Sequence, residues 1–286
     1  MATKKKSGWA AMPKGAPAFD FGGDALKKAW KDLHAGDAEP WPDAKRAAAL
    51  LKAAGKAAPK GVEAAELAQR LEDGWRAFHE GRFDDAFEIG SSLGPIGASL
   101  AVKASGIHAA HLVDDEAGQL KRFEAAAVLA EAAIAALPGE ANSHYRRAFA
   151  LGRYSQGISI LKALKAGLAG KVRESLDKTL ELEPDHAEAR LALAVYHAEI
   201  VSKVGAMIGG LTYGAKAAEA ERNIAAALKL TPKAPVAHLE QGNVALLLGG
   251  SKGEDAAAAA FEKAAKLKAR DAMEWLDARH AAAQLE

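Results

Sequence analysis

The sequence predicts an all-α protein in which about five helix pairs stack on one another as an α-solenoid. Three observations support this prediction: prolines recur at a regular spacing, alanine is abundant, and residues that favour strands are sparse. A single helix pair cannot bury its apolar face alone, so copies of the pair must pack together. Units three and four are predicted to carry long inserted turns between their two helices.

The recurring prolines Pro138, Pro184 and Pro232 end three similar stretches, AEAAIAALP, LDKTLELEP and IAAALKLTP. Proline cannot continue a helix, so each of them predicts a helix end. Small or β-branched residues lie five and twelve positions before each proline, where a second helix would pack closely on the first: Ala126, Ala133, Val172, Thr179, Ala220 and Ala227.

The composition favours helices throughout the chain. Hydrophobic residues make up 50% of the 286 residues, much of this being alanine, whereas aromatic residues contribute only 6%. Alanine is the best helix former, and no alternating run of strand length is present. We therefore expect about two-thirds or more of the chain to be helical.

Charge and cysteine content exclude several classes of function. The net charge of +1 gives no long-range attraction to nucleic acid, although residues 1–60 carry twelve basic against six acidic residues, including Lys4-Lys5-Lys6. This excess is expected to belong to a solvated tail, with contact to nucleic acid or an anionic membrane as the alternative. The absence of cysteine excludes disulfides, thiol catalysis and a lipoprotein anchor.

The N-terminal 60 residues are predicted to precede the repeats. Residues 1–23 lack the apolar segment of a signal peptide and are interrupted by prolines and glycines, which predicts a disordered or loosely docked tail anchored by Phe19 and Phe21. Residues 24–60 are predicted to form a helical extension. No run approaches about 18 uninterrupted apolar residues, so no membrane span is expected, and the predicted location is the cytoplasm.

The repeats carry a family resemblance. Gly74, Gly81, Phe83 and Ala86 lie at offsets 0, 7, 9 and 12, and this pattern resembles the tetratricopeptide repeat (TPR). The resemblance implies that a small residue lets the helices approach, that a glycine turns the chain, and that an aromatic residue fills the pair, with alanine at the crossing. In the fifth unit, Gly242, Ala257, Phe261 and Ala264 are residues that fit the same repeat.

The resemblance predicts a TPR-like repeat domain over residues 61–270 and a capping helix over residues 271–286. After a first unit around Leu71–Leu93, the later units are predicted at Ile96–Pro138, Ala141–Pro184, Ala187–Pro232 and Pro235–Ala269. The proline spacings of 46 and 48 in units three and four exceed the TPR period of about 34. Each of these units therefore contains an insertion of roughly a dozen residues relative to that period.

The two insertions cover residues 152–170 and 202–214, and both mix glycines with large apolar residues and lysines but contain no acid. Exposed turns are usually short and polar, so these segments are expected to pack on each other, on a second chain, or around a partner or ligand. Similar long turns occur in the TPR proteins associated with TRAP transporters and in the regulators of microtubule dynamics, which this chain resembles more weakly.

The first helix of each unit would line the concave groove of such an array. By register, the predicted partner-binding residues on these helices and on the insertions are Tyr145, Arg146, Phe149, Arg153, Tyr154, Val195, Tyr213 and Asn243. Arginine binds carboxylates and asparagine binds peptide backbone, whereas the aromatic and aliphatic members suit an apolar or helical segment.

No constellation of residues indicates catalysis. His108 and His111 share a helix face, but nothing supplies the further ligands of a metal site. Gly90–Gly94 matches G-x-S-x-G without the preceding strand that a nucleophilic serine requires. We therefore expect no catalytic residue, no metal and no cofactor.

These observations predict a non-catalytic interaction scaffold that binds an apolar or amphipathic protein segment in its groove. The alternative is a carrier or sensor of a small apolar ligand enclosed by segments 152–170 and 202–214. Self-association through these segments also remains open.

Overall fold

The structure is a computed structural model that describes residues 8–286. The side chains of Ile160, Leu161 and Leu164 are not part of this description. The lysine run Lys4-Lys5-Lys6, for which a solvated tail was predicted, lies outside the described residues. The chain is 75% helical, and the part that the structure describes contains no strand. The prediction of an all-α, solenoid-like fold is confirmed, because helices adjacent in sequence pack in pairs.

Fifteen α-helices follow one another along the described residues. They are α1 Ala25–Leu33, α2 Ala44–Ala54, α3 Ala64–His79, α4 Phe83–Ser92, α5 Ala98–Leu112, α6 Glu116–Ala136, α7 Ala141–Gln156, α8 Ile160–Lys165, α9 Leu168–Leu182, α10 Ala187–Val204, α11 Ala206–Tyr213, α12 Ala217–Leu230, α13 Pro235–Gly249, α14 Glu254–Lys266 and α15 Ala272–Ala283.

The predicted helix ends lie where the prolines place them. Helices α6, α9 and α12 each end two residues before Pro138, Pro184 and Pro232. At the other end of a helix, the side chain of Asp43 accepts a hydrogen bond from the backbone of α2, and Asp271 does the same for α15. Carboxylates at these positions satisfy amide groups that have no partner within the helix.

The contacts between Cα atoms divide the chain into two compact units. The first unit comprises the described residues up to Lys31 together with Glu39–Ile158, and the second comprises Asp32–Ala38 together with Ser159–Glu286. The division at residue 158 falls inside the first insertion, so α7 belongs to the first unit and α9 to the second.

In the first unit each helix from α3 to α6 packs on the helix that follows it. Helix α2 packs against α3, and leucines from both helices share an apolar core with Leu93, Ile96 and Leu137. These helices are joined by turns of only a few residues, so neighbours run antiparallel.

The second unit has a core built largely from alanine. Helix α10 packs on α9, α12 and α13, and the alanines between α10, α12 and α13 allow close helix approach. Helix α14 packs on α13, and α15 packs on both, with Met273 and Leu276 buried.

Two glycines of the repeat pattern have the predicted surroundings. Gly81 turns the chain between α3 and α4 with a φ of 81°, which is strained for any other residue. At Gly242 in α13, an added Cβ atom would lie 2.3 Å from the ring of Phe261 in α14. The absence of a side chain at Gly242 therefore makes room for the aromatic ring of the facing helix.

Replacing Gly242 by alanine is expected to destabilise the second unit by about 1–3 kcal/mol, because the Phe261 ring must move out of its packed position. The matched control is Gly249→Ala at the end of the same helix, where nothing lies within 4 Å of an added Cβ atom. Guanidinium unfolding of both variants measures the difference, and equal midpoints would contradict the role of Gly242.

A short N-terminal segment completes the second unit. The backbone N–H of Glu188 donates to the Gly36 carbonyl at 2.8 Å, and the Arg270 side chain donates to the Asp32 carbonyl at 2.7 Å. Arg270 is also held by an ion pair with Glu274 in α15. Residues Asp32–Ala38 are therefore bonded to α10 and to Arg270, which precedes α15.

Candidate functional site

Residues 8–21 form an irregular segment that packs on the helices of the first unit, and Trp9 is one of its anchors. The Trp9 ring lies between side chains of three successive helices. Its centroid is 5.3 Å from the Phe87 ring in α4 and 4.5 Å from the His108 ring in α5. The Arg122 guanidinium of α6 lies 4.2 Å from the same centroid, within the range of a cation–π contact. We call this arrangement the Trp9 seat.

The helices also bind the backbone on either side of Trp9. The N–H of Ala10 donates to His108 Nε2 at 2.9 Å, and Arg122 donates to the Gly8 carbonyl. Because Nε2 accepts, the ring proton of a neutral His108 lies on Nδ1, which is buried without a hydrogen-bond partner among the described residues. The seat therefore combines one aromatic anchor with hydrogen bonds to main-chain atoms.

A second anchor lies at Phe21, at the end of the same segment. Its side chain is buried, its N–H donates to Glu80 Oε1 at 3.0 Å, and its carbonyl accepts from Arg76 Nε at 3.0 Å. Arg76 is oriented by Asp73 at 2.6 Å and Glu72 at 2.5 Å along α3. Residues 8–21 are thus held at both ends by side chains that bind their backbone.

The electrostatics of the Trp9 seat favour an uncharged imidazole. Burial, together with the positive charge of Arg122, lowers the pKa of His108 from 6.5 to about 4, against a smaller opposing effect of Asp84. Protonation of Nε2 would also remove the acceptor of the Ala10 N–H. The seat is therefore formed by neutral His108, and a charged ring would weaken it.

Three predicted groove residues on α7 are engaged within the first unit. Tyr145 and Arg146 are buried, with the guanidinium 5.2 Å from the Tyr145 ring. An added Cβ atom on Gly106 of α5 would lie 2.2 Å from the Phe149 ring, and Phe123 of α6 packs on this ring at 6.2 Å. Because these side chains already contact neighbouring helices, a partner could contact only the part of them that α5 and α6 leave accessible.

Arg146 belongs to a polar network that reaches the N-terminal connector. Its Nε lies 3.3 Å from Ser99 Oγ, which donates to Glu39 Oε2 at 2.8 Å, and Asn142 donates to the same oxygen at 2.8 Å. This network explains why a charged residue on α7 is buried. The predicted residues Arg153 and Tyr154 lie partly buried nearer the end of the helix, where Arg153 reaches Gln156 at 3.5 Å.

The remaining predicted residues belong to the second unit. Val195 of α10 is partly buried against the alanine-rich core, and Asn243 of α13 donates to Glu240 at 2.8 Å. Tyr213 ends α11, where its carbonyl accepts from the Tyr196 hydroxyl at 3.3 Å. The structure thus brings five of the eight predicted residues onto α7 and places the other three on separate helices of the second unit.

The second insertion is expected to pack on the first insertion, on a second chain, or around a partner or ligand, and its large apolar residues are not buried within the chain itself. Met207, Ile208 and Leu211 of α11 are 77%, 55% and 85% exposed. In this position the three side chains do not enclose a cavity. Of the first insertion, the structure describes the short helix α8 but not its largest apolar side chains.

One helical stretch of the described residues, Ala187–Tyr213, is long and apolar enough to cross a membrane, with a mean hydropathy of 1.4. It joins α10 and α11. Length and composition are weak evidence for a membrane span, because core helices of soluble proteins have the same properties. The α10 part of this stretch contributes Leu191 and Ala194 to the core of the second unit.

Sequence reasoning missed the Trp9 seat. The available signal was a tryptophan in a segment otherwise rich in glycine, proline and alanine, where a large apolar side chain has no local partner. The side chains that hold Trp9, such as His108 and Arg122, lie far along the chain. No spacing rule connects His108 or Arg122 to Trp9.

Comparison with models of protein families and with curated proteins gives no match for this chain.

Proposed function

We propose that this chain is a non-catalytic, TPR-like interaction scaffold that binds an apolar or amphipathic protein segment. The surroundings of the repeat residues support the TPR assignment. Gly81 forms the turn and Gly242 accommodates Phe261, while Phe83 and Ala86 are buried between the helices of the first pair. These are the roles that the same positions have in a tetratricopeptide repeat.

The observation that carries this proposal is the seating of residues 8–21. Helices α3 to α6 hold a segment without regular structure, using an aromatic slot for Trp9 and side chains that bind main-chain atoms. Hydrogen bonds to backbone do not depend on the identity of the bound residue. A segment from another protein with an aromatic anchor would satisfy the same groups.

The predicted groove residues of α7 in the first unit, and separately those of α10 and α13 in the second unit, are candidates for further contacts with such a partner. Among them, Phe149 is the aromatic residue that would serve as an anchor, and buried aromatic anchors dominate binding energies. The exposure of the α11 side chains gives the ligand-carrier hypothesis no support, so we do not develop it.

The test uses the full chain with Trp9→Ala, which leaves the seat without its own anchor, and a labelled synthetic peptide of residues 8–23. We expect the peptide to bind this variant with micromolar affinity in a fluorescence anisotropy titration. A peptide carrying Trp9→Ala should bind at least about thirtyfold more weakly, because an aromatic anchor contributes about 2 kcal/mol or more.

The unaltered chain is the first control. Its own segment is tethered at an effective concentration near millimolar, so it should bind the added peptide much more weakly than the variant does. A second variant, Trp9→Ala with Val128→Ser, changes an exposed residue of α6 and should bind normally. Equal binding of the two peptides would refute a peptide-binding seat.

A further inference from the structure

One end of the second unit combines an exposed apolar helix with a cluster of lysines. Helices α9 and α10 are joined by only four residues and pack on each other, so the start of α9 and the end of α10 lie at the same end of the pair. Helix α12 packs on α10 and runs back from that end. The inserted helices α8 and α11 are therefore both located there, and we call this end the tip.

Helix α11 is fixed in position with its apolar face outward. Its N–H and carbonyl groups are bonded locally, including Gly209 N–H to the Gly205 carbonyl at 2.9 Å and Ala215 N–H to the Gly209 carbonyl at 2.9 Å. The buried residue of α11 is Gly209. An added Cβ atom at this position would lie 3.4 Å from Ile200 of α10 and 3.8 Å from Ala215. Met207, Ile208 and Leu211 consequently point away from the unit and are mostly exposed.

The charge around this apolar face is predominantly positive. The exposed lysines of the tip are Lys162, Lys165, Lys171, Lys203 and Lys216. Lys203 is paired with Glu199 of α10 at 3.2 Å, whereas residues 157–173 and 200–218 themselves contain no aspartate or glutamate. Apolar side chains bordered mainly by lysines match the boundary of an anionic bilayer, where acyl chains lie next to phosphate groups.

We propose that the tip binds the surface of membranes containing anionic lipids, with Met207, Ile208 and Leu211 inserted among the acyl chains. This inference goes beyond the proposed scaffold function and does not depend on it. A second copy of the chain is a less suitable occupant, because a symmetric contact would bring the same lysines together. A protein partner would need substantially more contact area than three side chains on a helix of eight residues provide.

Flotation with vesicles tests this proposal on the full chain. We expect binding to vesicles of phosphatidylcholine with about one quarter phosphatidylglycerol, little binding to pure phosphatidylcholine, and a marked loss in about 0.5 M NaCl, where charges are screened. The double variant Met207→Ser/Leu211→Ser should lower the partition coefficient at least about tenfold. Lys165→Gln/Lys216→Gln should lower it severalfold on anionic vesicles.

Matched controls separate the tip from the rest of the surface. Val128→Ser replaces an exposed apolar residue of α6, and Lys52→Gln/Lys56→Gln removes two exposed charges near α2, so both variants should bind as the unaltered chain does. Circular dichroism confirms that each variant is folded. The proposal fails if the unaltered chain floats with neither vesicle, or if the tip variants float as it does.

Size-exclusion chromatography with light scattering covers the remaining outcome. A dimer that becomes a monomer in Met207→Ser/Leu211→Ser, without vesicle binding by either protein, would identify α11 as a self-association surface and overturn the proposal. A monomer that floats with anionic vesicles supports it.

Discussion

Replacing Trp75 by alanine is expected to lower the free energy of unfolding of the first unit by about 3–5 kcal/mol, the range for deleting a large buried aromatic side chain. Trp75 is only 2% exposed. Its ring meets Trp30 edge-on at 6.0 Å, Phe78 at 5.7 Å and His79 at 6.0 Å. These contacts connect α1 and α3, so the cavity left by alanine would affect both helices.

The measurement should resolve the first unit by itself, because a chain with two compact units need not unfold in one step. Hydrogen exchange followed by mass spectrometry reports the stability of peptides from α3 directly. The control is Trp275→Ala in α15, a partly exposed tryptophan that lies beside Arg279 and should cost about 1 kcal/mol. Similar losses for the two substitutions would contradict the central role of Trp75.

Acidification is expected to release the Trp9 segment from its seat. The pKa of His108 is lowered to about 4 in the folded chain, whereas it returns to about 6.5 when the chain unfolds. At a pH between these two pKa values, His108 therefore takes up a proton when the chain unfolds or the segment is released. The free energy of unfolding falls as the pH decreases from about 6.5 to 4. A pKa shift of this size corresponds to about 3 kcal/mol in the free energy of unfolding, which solvent screening reduces to about 2 kcal/mol.

Fluorine NMR of a chain labelled with 5-fluorotryptophan measures this release, with the Trp9 signal assigned by a Trp9→Phe variant. The signal should move toward the position of an exposed indole as the pH falls. His108→Gln, which does not titrate, should remove most of this dependence, whereas His111→Gln one turn further along α5 should retain it. A Trp9 signal unchanged down to pH 4 would contradict the assigned role of His108.

Local rules predicted the parts of the fold that depend on neighbouring residues. Pro138 and Pro184 end helices because proline lacks an amide hydrogen, and this holds in any tertiary context. Gly81 forms a turn with positive φ for an equally local reason. The helix pairs and the alanine-rich contacts between them could therefore be predicted from spacing and composition.

The site could be predicted only in part, because its contacts are not local. Ala10 binds His108 across 98 positions, and Gly8 binds Arg122 across 114. Helical periodicity places Tyr145 and Phe149 on one face of α7, but it does not distinguish a face that lines a groove from one that packs on α5 and α6. The burial of Arg146 depends on Glu39, a residue outside the repeats.

The second insertion illustrates a different limit. Its apolar composition distinguishes it from an ordinary polar turn, and the structure forms it into a short helix, α11. The expectation that it packs on the other insertion, a second chain or a ligand relied on the general cost of exposing large apolar side chains. Composition does not reveal that Gly209 takes the inward position, which leaves Met207 and Leu211 on the outer face.

The bond between Arg270 and the Asp32 carbonyl, 238 positions apart, has a consequence for synthesis of the protein. A ribosome adds about 5–20 residues per second, so residues 32–38 leave the exit tunnel roughly 10–50 s before their last partner is made. During this interval the first helices can already fold, whereas the Asp32 carbonyl still lacks its Arg270 donor. A nascent chain halted before Arg270 should therefore expose the Asp32–Ala38 segment to chaperones more than the completed chain does.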